Sequence, residues 1–417
     1  MKVWLVNPFD NTPMEGYRPQ RYWLMGRAFR RAGHEVVYWT SDFSHATKQK
    51  RELVVSVEDG IEVEMLETQP YSRNVSLSRV RSHRKLACEW TRCANSKKEK
   101  PDVIIASMPP LGLCDAARKF AAHCGALFIA DVQDAWPETF ERILPGVVFS
   151  LLGLRRVARR IYTESDGVSA VAMRYVDLAL KYGCEAPTAV FGHSIEQRVG
   201  AERQKRKDEI LRLAYIGNMS TSYDLETLIR CVFEMGGVTL DVAGNGPDRQ
   251  RLKKLSEMLN AGCSNIRFHD YLDENQLADL LSSCDVGVIP MFPESCVGVP
   301  GKMADYAAAG LKVVECLGGE TAALVDRFGV GTHYQAADMK SLRKAIEAVK
   351  KIDNENVKDA FARNFNATEV MDGYVEWVAG VMRRKKDWGS TQTNRYQVLK
   401  KKRMADLGVI KQESLTD

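Results

Sequence analysis

Short apolar runs alternate with amphipathic stretches of helical length along most of the chain. Lys2–Asn7 (KVWLVN) reads as a buried strand, Arg18–Ala32 as a helix ended by Gly33, and His34–Trp39 as the next strand, together one βαβ unit. Further strand-like runs lie at Ile61–Leu66, Val103–Ser107, Ala126–Ala130, Gly167–Val171 and Thr188–Phe191. At Glu196–Asp208 the apolar residues give way to a polar, charged stretch, read as an interdomain linker over 196–210. A second series then begins, with strands at Leu211–Gly217, Val238–Ala243, Ile266–His269, Val286–Ile289 and Lys312–Glu315. Its helices start near Asp224, Asp248, Asn275 and Gly301. Alternation of this kind predicts an α/β protein with parallel sheets covered on both faces. The expected organisation is two tandem doubly wound domains, 1–195 and 211–365. A helix over 366–388 is expected to pack back on the first domain, followed by a polar tail over 389–417.

The 417 residues, 45% hydrophobic and 27% charged, carry the balance of a globular protein and exclude a disordered or fibrous one. The longest apolar run, Val147–Leu154, is far below the roughly 18 residues of a membrane span. Ten cysteines are scattered without a CxxC pair, and the spacing of Cys88 and Cys93 matches no zinc pattern. Reduced thiols and a cytoplasmic location are expected, since Met1-Lys2 leads straight into the first strand with no signal-like segment. The net charge of +5 arises in the first 200 residues. That half is therefore expected to meet an anionic partner. No zinc-finger spacing, RNP-like pattern or basic heptad helix is present, so a membrane surface or a phosphate-bearing substrate fits better than nucleic acid.

Ligands of open α/β sheets sit beyond the carboxyl ends of the strands, and five segments there carry candidate chemistry. The loop Pro8–Pro19 holds Gly16 and Arg18 but lacks the GxGxxG pattern, which argues against a dinucleotide cofactor. Ala130–Glu138 supplies Asp131, Asp134 and Glu138, carboxylates suited to general base work or to accepting from sugar hydroxyls, or alternatively a simple helix cap. Leu213–Asp224 offers Gly217, Asn218, Ser220 and Thr221 before a helix that Asp224 is expected to cap. Val242–Pro247 (VAGNGP), with Asn245 and Gly246, is a glycine-rich turn, either plain or ligand-bearing. In Ile289–Gly310, Gly301-Lys302 opens a helix whose one turn can supply Lys302 to a diphosphate and Asp305 to ribose hydroxyls, or else carries only a solvated lysine and a first-turn acidic residue.

RAGHEVVYWTSDFSH, DVQDAWPE, YIGNMSTSYDLETLI, VAGNGPD and PGKMADYAAAGLKVV, in this order, resemble glycosyltransferases of the GT-B fold. The nearest group is glycosyltransferase family 4, in its WbuB-like branch of bacterial surface-polysaccharide enzymes, and the similarity spans about residues 1–385. The resemblance implies two Rossmann-like domains around a deep cleft. It also implies a hexosyltransferase that uses a nucleotide-sugar donor, UDP-sugar before GDP-sugar, with retention and without a metal or other cofactor. The acceptor would be a saccharide or lipid-linked saccharide, at the inner face of the membrane. Donor binding would fall to Gly217, Asn218, Ser220, Asn245, Gly246, Lys302 and Asp305, and acceptor binding to Gly16, Arg18, Asp131 and Asp134. Lys302, Asp134 and Glu294 would be catalytic. Family members commonly carry two Glu separated by seven residues; here Val297 holds the earlier place and Asp305 the later, with Glu294 the candidate replacement. A basic apolar segment, Arg142–Tyr162, with Arg79, Arg81, Arg84 and Lys85, is a candidate contact with an anionic bilayer. A sugar-nucleotide 2-epimerase of the same fold and a degenerate nucleotide-sugar-binding scaffold subunit remain alternatives.

Overall fold

A computed structural model describes the chain apart from residues 46, 53–55, 74–75, 142–152, 197–208, 260–264, 271, 354 and 386–417. Most of the expected linker, the polar tail and most of the Val147–Leu154 run lie outside the described residues.

Two sheets carry the fold. The first contains β1 (Lys2–Val6), β2 (Glu35–Ser41), β3 (Ser56–Glu58), β4 (Ile61–Leu66), β5 (Val103–Met108), β6 (Leu127–Val132), β7 (Gly167–Ala170) and β8 (Thr188–Val190), in the order β3-β4-β2-β1-β5-β6-β7-β8. The second contains β9 (Leu211–Ile216), β10 (Val238–Ala243), β11 (Ile266–His269), β12 (Val286–Ile289), β13 (Lys312–Glu315) and β14 (Gly331–His333), in the order β11-β10-β9-β12-β13-β14. Neighbours run parallel except in the β3–β4 hairpin. The two short edge strands β3 and β14 escape the sequence pattern because pairing, and no apolar run, makes them strands; Gly331-Thr332-His333 simply follows the edge of β13. Among the described residues no helix is long and apolar enough to cross a membrane.

Aromatic packing fills one face of the first sheet. Trp4 lies 5.1 Å from Trp39 and 5.5 Å from Phe120, ring centre to ring centre, and Trp90 closes the group from the helix Leu77–Ser96. The opposite face buries Trp23, Phe29 and Tyr38 together with Tyr374 and Val378 of a helix at 367–385. That helix belongs by position to the end of the chain and by packing to the first domain. The chain thus crosses between domains twice, and the crossings are tied together: Ile195 N–H donates to Phe365 C=O at 2.9 Å, and Ala367 N–H to Ile195 C=O at 3.0 Å.

A buried ion pair sits beneath these crossings. The Arg21 guanidinium donates to both Asp131 oxygens, at 2.9 and 2.8 Å, and through a third nitrogen to Phe191 C=O at 2.8 Å. Ser169 Oγ donates to Asp131 at 2.7 Å and lies 2.9 Å from Tyr374 Oη. Asp131 has no solvent exposure. This corrects its assignment to acceptor hydroxyls: both oxygens are spent inside the domain. Removing one partner of such a pair strands the other charge in the interior at a cost of about 3–5 kcal/mol. Arg21→Met is therefore expected to destabilise the first domain by roughly that amount in denaturant unfolding; a change below about 1 kcal/mol would contradict it.

Candidate functional site

The loops at the carboxyl ends of the two sheets meet one another. On the second-domain side the helix Lys302–Ala308 follows the loop after β12. Tyr306 fixes its position: the ring lies on Gly287, where a Cβ would come within 2.2 Å of it. The Tyr306 hydroxyl accepts from Ile216 N–H at 3.2 Å and lies against Val288 C=O at 3.1 Å. One turn earlier, Lys302 is thereby held against the end of β9. Its Nζ lies 4.0 Å from the centre of the Tyr215 ring and 4.4 Å from that of Tyr223, beside Gly217.

Among the described residues the buried Lys302 Nζ has no hydrogen-bond partner. Burial pushes its pKa down to about 7, with Asp305 pulling the other way. Two ring faces soften the charge but do not satisfy three N–H donors. An anion entering here would find a pre-placed ammonium and would raise its pKa by being there. With only seven residues, the helix adds little dipole, so the positive charge of this corner rests on the side chain.

The glycine-rich turns beside it interlock. Met219 N–H donates to Asn245 C=O at 2.9 Å and Asp248 N–H to Met219 C=O at 3.0 Å. At Gly246, with φ +157°, a Cβ would lie 2.2 Å from Met219 O, so close approach of the two turns requires glycine. Asn245 Oδ1 accepts from Gly246 N–H, Tyr215 donates to Asn218 C=O, and Ser220 C=O accepts from Tyr223 N–H at 3.0 Å. The five donor-site candidates from Gly217 to Gly246 therefore form one turn pair bordering Lys302. Asp224 does not cap its helix through its side chain; the carboxylate instead accepts from Ala337 N–H at 2.7 Å.

Asp305 and Arg18, assigned separately to ribose and to the acceptor loop, are brought together across the cleft as a two-pronged ion pair, with Asp305 only 7% exposed. Beside them His193 is half-buried, and desolvation first and Arg21 second lower its pKa to about 4, so it is neutral. Two more cross-domain contacts have no signature in the sequence. Glu320 accepts from Met173 N–H at 2.7 Å, and Arg174 donates to Val297 C=O at 3.2 Å.

On the first-domain side, Gly16 is exposed in the left-handed region and ends the turn Pro13–Glu15, which Glu15 anchors to Arg51. Asp134 is half-buried at the end of β6, where desolvation raises its carboxyl pKa against the pull of Ala135 N–H and Arg79. Glu294 stands elsewhere: it is exposed and lines a cavity of about 470 Å³ with Phe292, Cys316 and Tyr334, a lining that includes neither Lys302 nor Asp305. The residues that sequence reading missed are Tyr215 and Tyr223, whose roles around Lys302 depend on a turn that no spacing rule announces.

Two family models match the chain: "Glycosyl transferase 4-like domain" over residues 20–192 and "Glycosyl transferases group 1" over residues 211–351. No curated protein matches it significantly. Among solved structures it resembles a sucrose-phosphate synthase from Thermosynechococcus elongatus, at 14% identity and TM-score 0.71, over 92% of this chain and 100% of that one. Anabaena HepE in complex with UDP and glucose follows at 13% identity and TM-score 0.60, over 91% and 99%. The lipopolysaccharide outer core galactosyltransferase WaaB, in its apo form, matches at 14% identity and TM-score 0.60, over 92% and 100%. At such identities the structural likeness establishes the fold, while the family models, one on each domain, carry the activity. Two parallel-sheet domains closed on a cleft, each recognised by its own transferase model, make this chain a glycosyltransferase of the GT-B fold.

Proposed function

We propose that the enzyme moves a hexosyl group from a nucleotide-sugar donor, UDP-sugar before GDP-sugar, to a saccharide or lipid-linked saccharide, with retention and without a metal, in surface polysaccharide synthesis. The observation that carries the donor reading is Lys302, a buried ammonium without a hydrogen-bond partner among the described residues, at the mouth of the second domain. In the reaction the bond from the anomeric carbon to the diphosphate oxygen breaks, and a bond to an acceptor hydroxyl oxygen forms. The hydroxyl proton leaves with the departing diphosphate. Negative charge gathers on that diphosphate as the sugar becomes oxocarbenium-like, and a fixed cation beside it stabilises the transition state more than the ground state. The presence of UDP and glucose in the HepE structure supports the nucleotide preference, and the WaaB likeness supports a surface polysaccharide.

Opening the Arg18–Asp305 pair would release Asp305 for the ribose and Arg18 for the donor phosphates or the acceptor. Asp134, at the mouth of the first sheet, is suited to accept from an acceptor hydroxyl. The bilayer reading is supported by the helix Leu77–Ser96, whose outer face presents Leu77 (76% exposed) and Val80 (54%) beside exposed Arg81 and Arg84. These four share one helix face. Of the Arg142–Tyr162 segment, the helix Leu154–Thr163 is described: it buries Ala158, Ile161 and Tyr162 and turns Arg155, Arg156, Arg159 and Arg160 outward.

Lys302→Met tests the donor reading with two readouts. Turnover is expected to fall about 100-fold, the usual loss for one transition-state donor, while the unfolding temperature rises by a few degrees. The sign follows from linkage: the folded pKa lies below the unfolded value, so the unfolded state holds more protons between pH 7 and about 10.5. The penalty of burying the ammonium is complete below pH 7 and fades as pH rises, so the stability gap between variant and wild type should narrow towards pH 10. Near-normal turnover would sink the assignment. For the membrane, vesicles containing anionic lipid should float the protein and neutral vesicles should not, and Leu77→Asp with Val80→Asp should abolish flotation; equal behaviour on both vesicles would remove the bilayer from the reading.

A further inference from the structure

Between the loops after β2, β4 and β6 and the first turns of the helix Leu77–Ser96 lies a cluster that the donor chemistry does not use. Lys48 Nζ stands 5.0 Å and Arg79 Cζ 5.8 Å from the centre of the same Tyr71 ring, so two cations share one aromatic face or edge. Arg79 also lies 5.1 Å from the centre of the Trp136 indole. Neutral imidazoles steady both: Arg79 Nε donates to His83 Nε2 at 3.4 Å, and His45 Nδ1 lies 2.5 Å from Tyr71 Oη and 3.3 Å from Lys48 Nζ. The His83 ring lies 5.9 Å from that of Trp136, which closes the group on the β6 side.

The electrostatics agree with this geometry. Burial and then Arg79 lower the Lys48 pKa to about 8, and His45 and His83 fall to about 4 and about 3, burial again leading and the neighbouring cations following. The groups facing one another here are two cations, two uncharged imidazoles and, from the end of β6, the Asp134 carboxylate, which draws on Arg79. Among the described groups that face one another here, one carboxylate stands against two partly desolvated cations. Two cations seated on aromatic rings offer charge and directed N–H donors to a phosphate.

Resting on the glycosyltransferase reading of the cleft, we propose that this cluster is the acceptor subsite and that it recognises a saccharide through a phosphate attached to it. Lys48 and Arg79 hold the phosphate, the buried Tyr71 and Trp136 rings seat those two cations, and His45 and His83 keep them aimed. The phosphate can belong to a soluble sugar phosphate or to the diphosphate that joins a sugar to a prenyl carrier; the recognition chemistry is the same.

Calorimetric titration of the full chain with glucose 1-phosphate, with glucose, and with a short prenyl-diphosphoryl glucose, each under saturating UDP, tests it. Glucose 1-phosphate is expected to bind at least ten-fold more tightly than glucose. Arg79→Gln and Lys48→Met should each weaken it ten-fold or more, Arg79→Lys should recover part of the loss, and UDP affinity, measured separately, should stay as in the wild type and so certify the fold. Tighter binding of the prenyl-linked probe marks a lipid-borne acceptor and equal binding a soluble one; both support the subsite. Glucose binding as well as its phosphate, or full binding in both variants, overturns it. Failure of UDP to bind would strike the donor reading instead, and the same titrations without UDP would still read the first domain.

Discussion

The arrangement of the molecule depends on one desolvated contact, the Arg21–Asp131 pair. A guanidinium and a carboxylate removed from water tolerate few geometries, because each lost hydration bond must be replaced by a protein one. Here the replacements come from four parts of the chain: the first helix gives Arg21, β6 gives Asp131, β7 gives Ser169, and Tyr374 of the last described helix completes the set. The third arm of Arg21 reaches Phe191 C=O at the start of the interdomain crossing. Hydrophobic burial brings these elements together; the pair dictates their register. His193, three residues before the paired Glu196 of the crossing, is neutral partly because Arg21 is already charged beside it.

The cleft stores a different tension. Lys302 Nζ is buried at the end of β9, and its depressed pKa records the cost of holding a cation there. Tyr215 and Tyr223 reduce that cost, and Tyr306 anchors the short helix so that the ammonium cannot swing away to water. Across the gap, Arg18 and Asp305 pair with each other and tie the two domains together at this point. The poorly satisfied ammonium thus lies at the end of β9, and the fully satisfied ion pair in the interior of the first domain.

Much of the fold was legible in the sequence because parallel strands buried on both faces are written as short apolar runs, and the runs from Lys2 to Glu315 recur as strands within a residue or two. The glycine-rich turns and the PGK segment were legible as well, since turn chemistry and strand ends are local properties. What local reading misassigned were side chains whose partners lie far along the chain. Asp131 looks like a cleft carboxylate until Arg21, 110 residues earlier, is placed against it. Asp224 looks like a helix cap until Ala337, 113 residues later, presents its N–H. The histidines, Tyr71 and Trp136 gave no signal, because an isolated aromatic or imidazole has no periodicity to read.

The sequence by itself determined the two-domain α/β class, the basic character of the first half and the turns at the strand ends, all consequences of hydrophobic period, composition and turn residues. Tertiary structure alone decided which charges are spent on the interior and which stand between the domains. That distinction depends on desolvation and on partners 100 or more residues distant, and neither quantity is encoded within any one segment of the chain.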